Sequence, residues 1–465
     1  MSLTCNRYFF ENDKRNFMSS SEKHAIILAA GMGTRMKSML PKVMHKIAGR
    51  SMISHVIDIA KRAGIQKITA VVGPESGVLA EEISVQAPEV QLVVQKDRLG
   101  TAHAVGMARA DLENSQADIL VLYGDTPLIR PQTLAQMSAG LGRSDIVVLG
   151  FEAGDPSGYG RLILENNGKL AAIREHADAS DEEKRITLCN SGVMAFRGGV
   201  LPALLDQIGN DNAKGEYYLT DAVEVAKSGG LKCGVVTAAE DDVLGINSRA
   251  QLAQAERIMQ DRLRRAAMEG GATLVDPETV YLSHDTVIGR DVVIEPCVVF
   301  GPGVRIGDHV EIKGFSHIEQ AQIAEGCIIG PYARLRPGAD LAPGVKVGNF
   351  VEIKKSRVLD GAKVNHLSYI GDAEIGARAN IGAGTITCNY DGFNKSLTRI
   401  GAGAFIGSNS ALVAPVQIGD GAYVGSGSVI TKDVKDDSLV VARGKQIEKI
   451  GWARAFRRAN MKKGK

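Results

Sequence analysis

Apolar residues recur at every sixth position in the C-terminal half of the chain: Ile288, Ile294, Phe300, Ile306, Ile312 and Ile318, and again Ile400, Ile406, Leu412, Ile418, Val424 and Ile430. A middle run keeps nearly the same beat through Ile323, Ile329, Leu335, Leu341, Val347, Ile353 and Leu359. Such a period fits neither a helix nor a simple strand alternation, so it predicts a repeat architecture. If each unit is a short strand and a turn, three units close a coil of about 18 residues, with its aliphatic side chain inward and a glycine easing the corner. Stacked at about 4.8 Å, roughly eight coils would build an all-β rod of about 40 Å. The beat slips between Ile318 and Ile323 and breaks at 389–399, where Asn-Tyr-Asp-Gly-Phe-Asn-Lys interrupts it. Insertions in solenoids map to loops, often on the binding face.

The first half follows another rhythm. Apolar strands near Ala25–Ala29, Ile68–Val72, Val90–Val94 and Ile119–Tyr123 alternate with helical patterns near Met52–Ala63, Gly77–Val85 and Thr101–Leu112. This alternation predicts an α/β domain with a Rossmann-like sheet, whose ligands sit beyond the carboxyl ends of the strands. From Gly158 to about Gly245, an Asn167-Gly168 hairpin signal and mixed strands predict an antiparallel lid. Ser248 offers an N-cap to a helix over Gln251–Met268, which Gly270-Gly271 ends. The expected division is a disordered extension at 1–22, an α/β domain at 23–247, a linker helix at 248–271, a solenoid at 272–442 and a basic tail at 443–465. Residues ahead of Met18 read as that extension or as an upstream start.

The strand at Ala25–Leu28 runs into Ala29-Ala30-Gly31-Met32-Gly33-Thr34-Arg35. Glycines there let backbone N–H groups approach phosphate oxygens, and Arg35 can add a fork of donors. Lys42 supplies a second cation a few residues on. It is not the dinucleotide pattern G-x-G-x-x-G, because Met36 follows Arg35. Asp125 ends an apolar strand, where a carboxylate has little packing use.

With Leu28-Ala-Ala-Gly-Met-Gly-Thr-Arg-Met and Leu40-Pro-Lys42, the chain resembles the sugar-1-phosphate nucleotidylyltransferases. Gln95, Gly100-Thr101, Tyr123-Gly124-Asp125, Gly158-Tyr-Gly160-Arg, Glu175-His, Asn190-Ser-Gly, Gly215-Glu-Tyr-Tyr and Gly245-Ile-Asn247 follow in that family's order. Joined to a hexapeptide solenoid, residues 23 to 452 are similar to the bacterial bifunctional enzymes that make UDP-N-acetylglucosamine. The resemblance implies that Leu28, Ala29, Ala30, Gly31, Gly33, Thr34, Tyr123 and Gly124 hold the uridylyl substrates. It implies further that Gln95, Gly100 and Thr101 read uracil, while Gly160, Glu175 and Asn190 hold the sugar. Mg²⁺ on Asp125 and Asn247, with Arg35 and Lys42, would neutralise charge as the sugar phosphate attacks UTP.

The second half resembles the acetyltransferase branch of left-handed β-helix proteins, through Arg334-Leu-Arg336-Pro-Gly, Asn349-Phe-Val-Glu-Ile-Lys354-Lys, His366-Leu-Ser-Tyr369 and Asn380-Ile-Gly-Ala383-Gly-Thr-Ile-Thr-Cys-Asn389-Tyr390. Acetyl transfer from acetyl-CoA to an amine needs a base of near-neutral pKa, and His366 meets that need. By resemblance, Arg336 and Lys354 clamp the phosphate of glucosamine-1-phosphate, with Tyr369, Asn380, Asn389 and Tyr390 beside it. Ala383, Ser408, Ser426 and Arg443 line the acetyl-CoA path. The implied product feeds peptidoglycan and lipopolysaccharide precursors, and the implied assembly is a homotrimer through the solenoid. A solenoid serving only as a scaffold needs neither His366 nor Asn389-Tyr390. A catalytically idle regulatory relative should lose Arg35, Lys42 and Asp125, and all three are present.

Bulk composition narrows the remaining classes. The 465 residues carry a formal charge of +2, which argues against a nucleic-acid protein driven by bulk charge. Basic residues gather after Arg443, and the last ten positions read as a frayed tail. Six scattered cysteines without a C-x-x-C pair suggest reduced thiols and a cytoplasmic setting. No stretch predicts a membrane span or a signal-peptide core.

Overall fold

The computed structural model describes residues 22–113, 115–165 and 168–461. It divides into two compact units, one ending at Met259 and the other beginning at Gln260. The expected extension and Asn167 of the hairpin signal lie outside the described residues, apart from Glu22.

Unit one is built on β1 (Lys23–Ala29), β2 (Lys46–Ile47), β3 (Arg50–Ser51), β4 (Lys67–Val72), β5 (Gln91–Val94), β6 (Asp118–Tyr123), β7 (Ile146–Glu152), β8 (Arg161–Leu164), β9 (Leu170–Arg174), β10 (Leu188–Phe196) and β11 (Cys233–Ala238). Its main sheet runs β11-β7-β10-β6-β1-β4-β5. Strand β10 is antiparallel to both neighbours, whereas β1 pairs in parallel with β4 and β6. The sheet is therefore mixed. β8 and β9 pair antiparallel and join it through Cys189 opposite Arg161. Apolar runs such as Ile119 to Leu122 are buried on both faces, as a helix-covered sheet requires.

Helices α1 (Met52–Arg62), α2 (Gly77–Gln86) and α5 (Pro131–Gly140) cover this sheet with α6 (Leu201–Leu205) and α7 (Ala222–Ser228). The helix expected over Thr101–Leu112 is two pieces, α3 (Thr101–Gly106) and α4 (Arg109–Leu112). Gly106 ends the first piece, consistent with the roughly 1 kcal/mol penalty of glycine in a helix interior. Helix α8 (Arg249–Glu269) is 21 residues long and contains the division between the units. Its start is capped reciprocally: Gln251 N donates to Ser248 Oγ at 3.3 Å and Asn247 N donates to Gln251 Oε1 at 2.9 Å.

Unit two is a left-handed parallel β-helix. Its short strands stack into three sheets of ten, eight and eight strands among the described residues. The six-residue beat lies inside: Ile294, Phe300, Ile306, Ile312, Ile318, Ile400, Ile406, Leu412, Ile418, Val424 and Ile430 are all buried in one core. Burying each such side chain contributes about 1.5–3 kcal/mol. Leu359, however, does not take the inner place; Val358 does, pairing with Leu341 and Ile375. The reason is that the central coils shorten one side: Ile323 follows Ile318, Val358 follows Ile353 and Ile375 follows Ile370 by five positions. Gln320, Lys355 and Asp372 turn those corners in the left-handed region, at φ 43°, 44° and 46°.

Ile375 pairs with Ile400, so the inserted loop adds its residues to one coil without breaking the ladder. Beyond the coils lies helix α9 (Trp452–Met461), exposed along its whole length, which includes 456–461 of the ten positions expected to fray. Residues 462–465 of the basic tail lie outside the described set.

Candidate active sites

In unit one the carboxyl ends of β1, β5 and β6 surround a cavity of about 320 Å³ lined by Leu28, Ala29, Ala30, Gly31, Lys42, Gln95, Gly100, Thr101, Tyr123 and Asp125. Val43, Arg98, Ala104 and Glu216 complete the lining. A second cavity of about 490 Å³ shares Thr101, Tyr123 and Glu216 with the first and adds Gly160, Glu175, Asn190, Lys214 and Thr220. The base-reading and sugar-holding residues expected from sequence thus line adjoining spaces.

Backbone contacts explain the convergence. Gly124 N donates to Leu28 O at 3.0 Å and Ile246 N to Asp125 O at 3.0 Å, bringing three distant segments together. The Lys42 ammonium donates to Asp125 Oδ2 and, at 2.9 Å, to Asn247 Oδ1. Two oxygens therefore converge on one positive charge. Gly33 is required for this approach: at φ 61°, a Cβ on it would lie 2.5 Å from Lys42 Cβ. Gly100 is similarly constrained, because a Cβ there would meet Tyr217 O at 2.4 Å.

Gln95 is buried and its Nε2 donates to Gly100 O at 3.2 Å, with His103 Nδ1 at 3.0 Å. Burial pushes the Tyr123 phenol well above its usual range, and the Asp125 and Glu175 charges add to this. Burial also raises Glu175, opposed by a hydrogen bond from Thr220 and by Lys214. Gly33, Thr34, Arg35 and Gly124 do not line either cavity, and Arg35 stands exposed on a turn at Thr34–Met36. Sequence reasoning missed Arg98, whose Nε donates to Ala30 O at 2.8 Å and braces the glycine loop. A cation between Gln95 and Gly100 was the available signal.

In unit two most of the expected residues fall on one corner and one face, while Asn380 lies on the sheet of Lys363–His366 and Asn389 and Tyr390 at the inserted loop. Leu367 N donates to Asn349 O, Gly384 N to His366 O, Asn409 N to Ala383 O and Gly427 N to Ser408 O, at 2.7–3.1 Å. Arg443 Nη1 closes the series on Ser426 O at 2.6 Å. Asn349, His366, Ala383, Ser408, Ser426 and Arg443 consequently form one ascending column. His366 to Arg443 spans four steps, roughly 19 Å at strand spacing. On the adjoining face, Glu352 and Tyr369 are register partners, and Arg336 Nη1 donates to Glu352 Oε1 at 2.7 Å. Lys354 is held below the usual lysine range by Lys395, then by burial and Arg336.

His366 Nδ1 lies 2.8 Å from Asn349 Oδ1. An amide oxygen only accepts, so Nδ1 donates in this contact, and in the neutral ring the lone pair is on Nε2. Asn389 Nδ2 donates to Asp372 Oδ2 at 2.5 Å, which ties the start of the inserted loop to the preceding coil, and the Tyr390 hydroxyl donates to Gly392 O at 2.5 Å within the loop. Asn380 begins the strand Asn380–Ile381, opposite Lys363. Asn349 opens one of the motifs quoted from the sequence but was given no role there, although its 17-residue spacing to His366 is one coil.

Comparison with known proteins agrees with both halves. The MobA-like NTP transferase domain matches residues 25–210, and the six-repeat bacterial transferase hexapeptide family matches 285–320 and 397–432. Bifunctional protein GlmU of Xanthobacter autotrophicus is 58% identical over 96% of this chain and 99% of its own. That of Azorhizobium caulinodans is 57% identical over the same shares, and that of Bradyrhizobium sp. 56% over 96% of this chain and 100% of its own. The chain belongs to the GlmU family. As in that bifunctional family, it is an enzyme with a uridylyltransferase and an acetyltransferase activity, acting on nucleotide and acetyl-CoA substrates. Among the described residues, no helix is long and apolar enough to cross a membrane.

Proposed function

We propose that the β-helix acetylates glucosamine-1-phosphate with acetyl-CoA and that the α/β domain then joins the product to UTP, releasing pyrophosphate and UDP-N-acetylglucosamine. The domains are assigned to residues 23–247 and 272–442, with the linking helix at 248–271. The observation that carries this reading is the coexistence of two separately built sites, the Lys42–Asp125–Asn247 cluster and the His366 column.

For acetyl transfer, His366 Nε2 takes a proton from the substrate ammonium so that the amine can attack the thioester carbonyl; the C–S bond then breaks, the CoA thiolate leaves and receives that proton from the imidazolium, and the amide nitrogen loses its second proton to water. Arg336, Lys354 and Lys395 crowd positive charge where the sugar phosphate would lie, which supports the clamp. Tyr369, Asn380, Asn389 and Tyr390 are assigned to the sugar. Ala383, Ser408, Ser426 and Arg443 offer acetyl-CoA a track along the corner, with Arg443 toward its phosphates.

For uridylyl transfer, Gln95 commits its amide N–H groups to Gly100 and His103, so Oε1 remains to accept from the uracil imide. Gly100 and Thr101 adjoin it, and Gly160, Glu175 and Asn190 take the sugar. Leu28 to Gly31, with Gly33, Thr34, Tyr123 and Gly124, shape the nucleotide site. Arg35 and Lys42 offset charge at the phosphates.

A divalent cation fits this site on its donor set. Asp125 and Asn247 present hard oxygens that already converge on a positive charge, and no cluster of three or more His, Cys, Asp or Glu suited to a metal occurs among the described residues. Mg²⁺ characteristically uses few protein oxygens and completes its shell with phosphates and water. Asp125 and Asn247 would hold it, and it would supply charge neutralisation at the triphosphate.

We further propose a homotrimer. Phe315, Tyr332 and Phe350 stack at 4.9 and 5.2 Å on one corner, 57%, 46% and 55% exposed, an apolar ladder that a single chain leaves uncovered. The exposed His366 column likewise gains a second wall from a neighbouring copy. Cys189, Cys233, Cys297, Cys327 and Cys388 are free thiols, which supports a cytoplasmic setting; Cys5 lies outside the described residues.

Mass spectrometry of the products formed from glucosamine-1-phosphate, acetyl-CoA, UTP and Mg²⁺ tests the scheme. UDP-N-acetylglucosamine is expected, and accumulation of only the non-acetylated UDP-glucosamine or only N-acetylglucosamine-1-phosphate would overturn it.

A further inference from the structure

We propose that Thr220 is a positioning residue for the sugar-phosphate site, fixing the Glu175 carboxylate so that one of its oxygens is left for a sugar hydroxyl. The proposal rests on the reading that Glu175 contacts the sugar. Thr220 sits in the short turn Leu219–Asp221, is 8% exposed, and its hydroxyl donates to Glu175 Oε1 at 3.2 Å. No other hydrogen bond to the Glu175 side chain is formed among the described residues, so Oε2 keeps its full accepting capacity inside the cavity that both residues line. Gly160 faces this carboxylate: a Cβ there would reach ordinary contact, 3.4 Å from Oε1 and 3.5 Å from Oε2, and glycine leaves that space to a ligand. The Thr220 bond is thus the hydrogen bond that holds the carboxylate in its orientation.

Thr220 is itself anchored to the nucleotide cavity. Leu219 N donates to Thr101 Oγ1 at 2.9 Å, and Ala102 N to Tyr217 O at 2.9 Å. The segment that carries the hydroxyl is thus clamped to the residues assigned to uracil, coupling the placement of one substrate's site to the other's.

The electrostatic surroundings give the bond a measurable signature. Burial raises Glu175, and Asp178 in the following turn raises it further; the Thr220 hydrogen bond and Lys214 lower it. Tyr123 at the end of β6, Tyr218 ahead of the turn and Asp221 within it all feel the Glu175 charge. Asp221 is pushed up to about 6, mainly by burial, then by Glu224 of α7 and by Glu175, against the pull of Arg174 on β9. Removing the hydroxyl removes one of two lowering influences, so Glu175 should protonate at higher pH.

Thr220→Val keeps the volume and removes the donor, Thr220→Ser keeps the donor, and Glu175→Gln tests the underlying reading. Pyrophosphate release by the full-length enzyme is measured against N-acetylglucosamine-1-phosphate at saturating UTP and Mg²⁺, across pH. Thr220→Val should raise KM for the sugar phosphate about 3- to 10-fold, the range of one net hydrogen bond. KM for UTP should stay within about twofold, and the acid limb of kcat/KM should move to higher pH. Thr220→Ser should stay near the parent. An unmoved acid limb, or a fall in both activities with a lower melting midpoint and no selective KM change, would overturn the proposal while leaving Glu175 in place. A Glu175→Gln enzyme with unaltered KM for the sugar phosphate would instead overturn the reading beneath it.

Discussion

Asn349 Oδ1 holds His366 Nδ1 at 2.8 Å from the preceding coil, the two residues being register partners of adjacent strands. The bond fixes the imidazole tautomer and its rotation together. Because His366 is exposed on the corner, its ring has no packing to orient it otherwise. Asn349→Ala should lower kcat for acetyl transfer roughly tenfold, whereas His366→Ala should lower it about 10²–10⁴-fold. Thiol release from acetyl-CoA measures both, and pyrophosphate release should be unaffected in either variant.

Asp125→Asn removes the charge that meets Lys42 while keeping the shape. Uridylyl transfer should fall at least about 10²-fold, as for loss of a preorganised charge at a phosphoryl centre. Acetyl transfer should be unchanged. Loss of both activities would contradict two independent sites.

Gly33→Ala places a methyl group 2.5 Å from Lys42 Cβ at a backbone φ of 61°. The left-handed conformation alone costs about 1–2 kcal/mol for a side chain. The variant should lose uridylyl transfer through a displaced Lys42, with a lowered first unfolding transition in calorimetry and intact acetyl transfer.

His24 is buried at 1% exposure with Nε2 2.8 Å from Thr69 Oγ1, and its pKa is lowered to about 4 by burial and then by Lys67, against Asp111. The unfolded state binds a proton near pH 6.5 and the folded state resists it, so stability present above pH 6.5 is lost as pH falls toward 4. The full loss is on the order of 3 kcal/mol. Urea midpoints at pH 7 and pH 5 should differ clearly in the parent enzyme. In His24→Gln that difference should shrink, and an unchanged difference would exclude His24 as its source.

Much of this architecture was legible along the chain because its determinants are local. A six-residue beat of aliphatic side chains can be satisfied only by short strands turning around one core, and Ile294 through Ile318 and Ile400 through Ile430 obey it. The strand-to-glycine turn at Leu28 to Gly33 is equally local, since the turn and the phosphate approach both need missing side chains. Less local features were misjudged. Leu359 follows the beat in sequence but yields the core to Val358, because a corner at Lys355 shortens that side. The helix expected across Thr101–Leu112 divides after Gly106, where intrinsic propensity is weakest.

By itself the sequence determined the two architectures and the identity of the groups able to do chemistry, because periodicity and residue type are properties of neighbours. Tertiary structure alone decided which groups meet. Lys42, Asp125 and Asn247 come from three separate segments, and backbone bonds from Gly124 to Leu28 and from Ile246 to Asp125 close the distances between them. Asn349, His366, Ala383, Ser408 and Ser426 share a corner only through the lengths of the coils between them. Arg35 lies outside the cavity lining although its motif places it in the nucleotide loop, since the turn at Thr34–Met36 buries Met36 and leaves Arg35 exposed. Contacts of this kind are sums of many backbone rotations, and no short stretch of residues contains them.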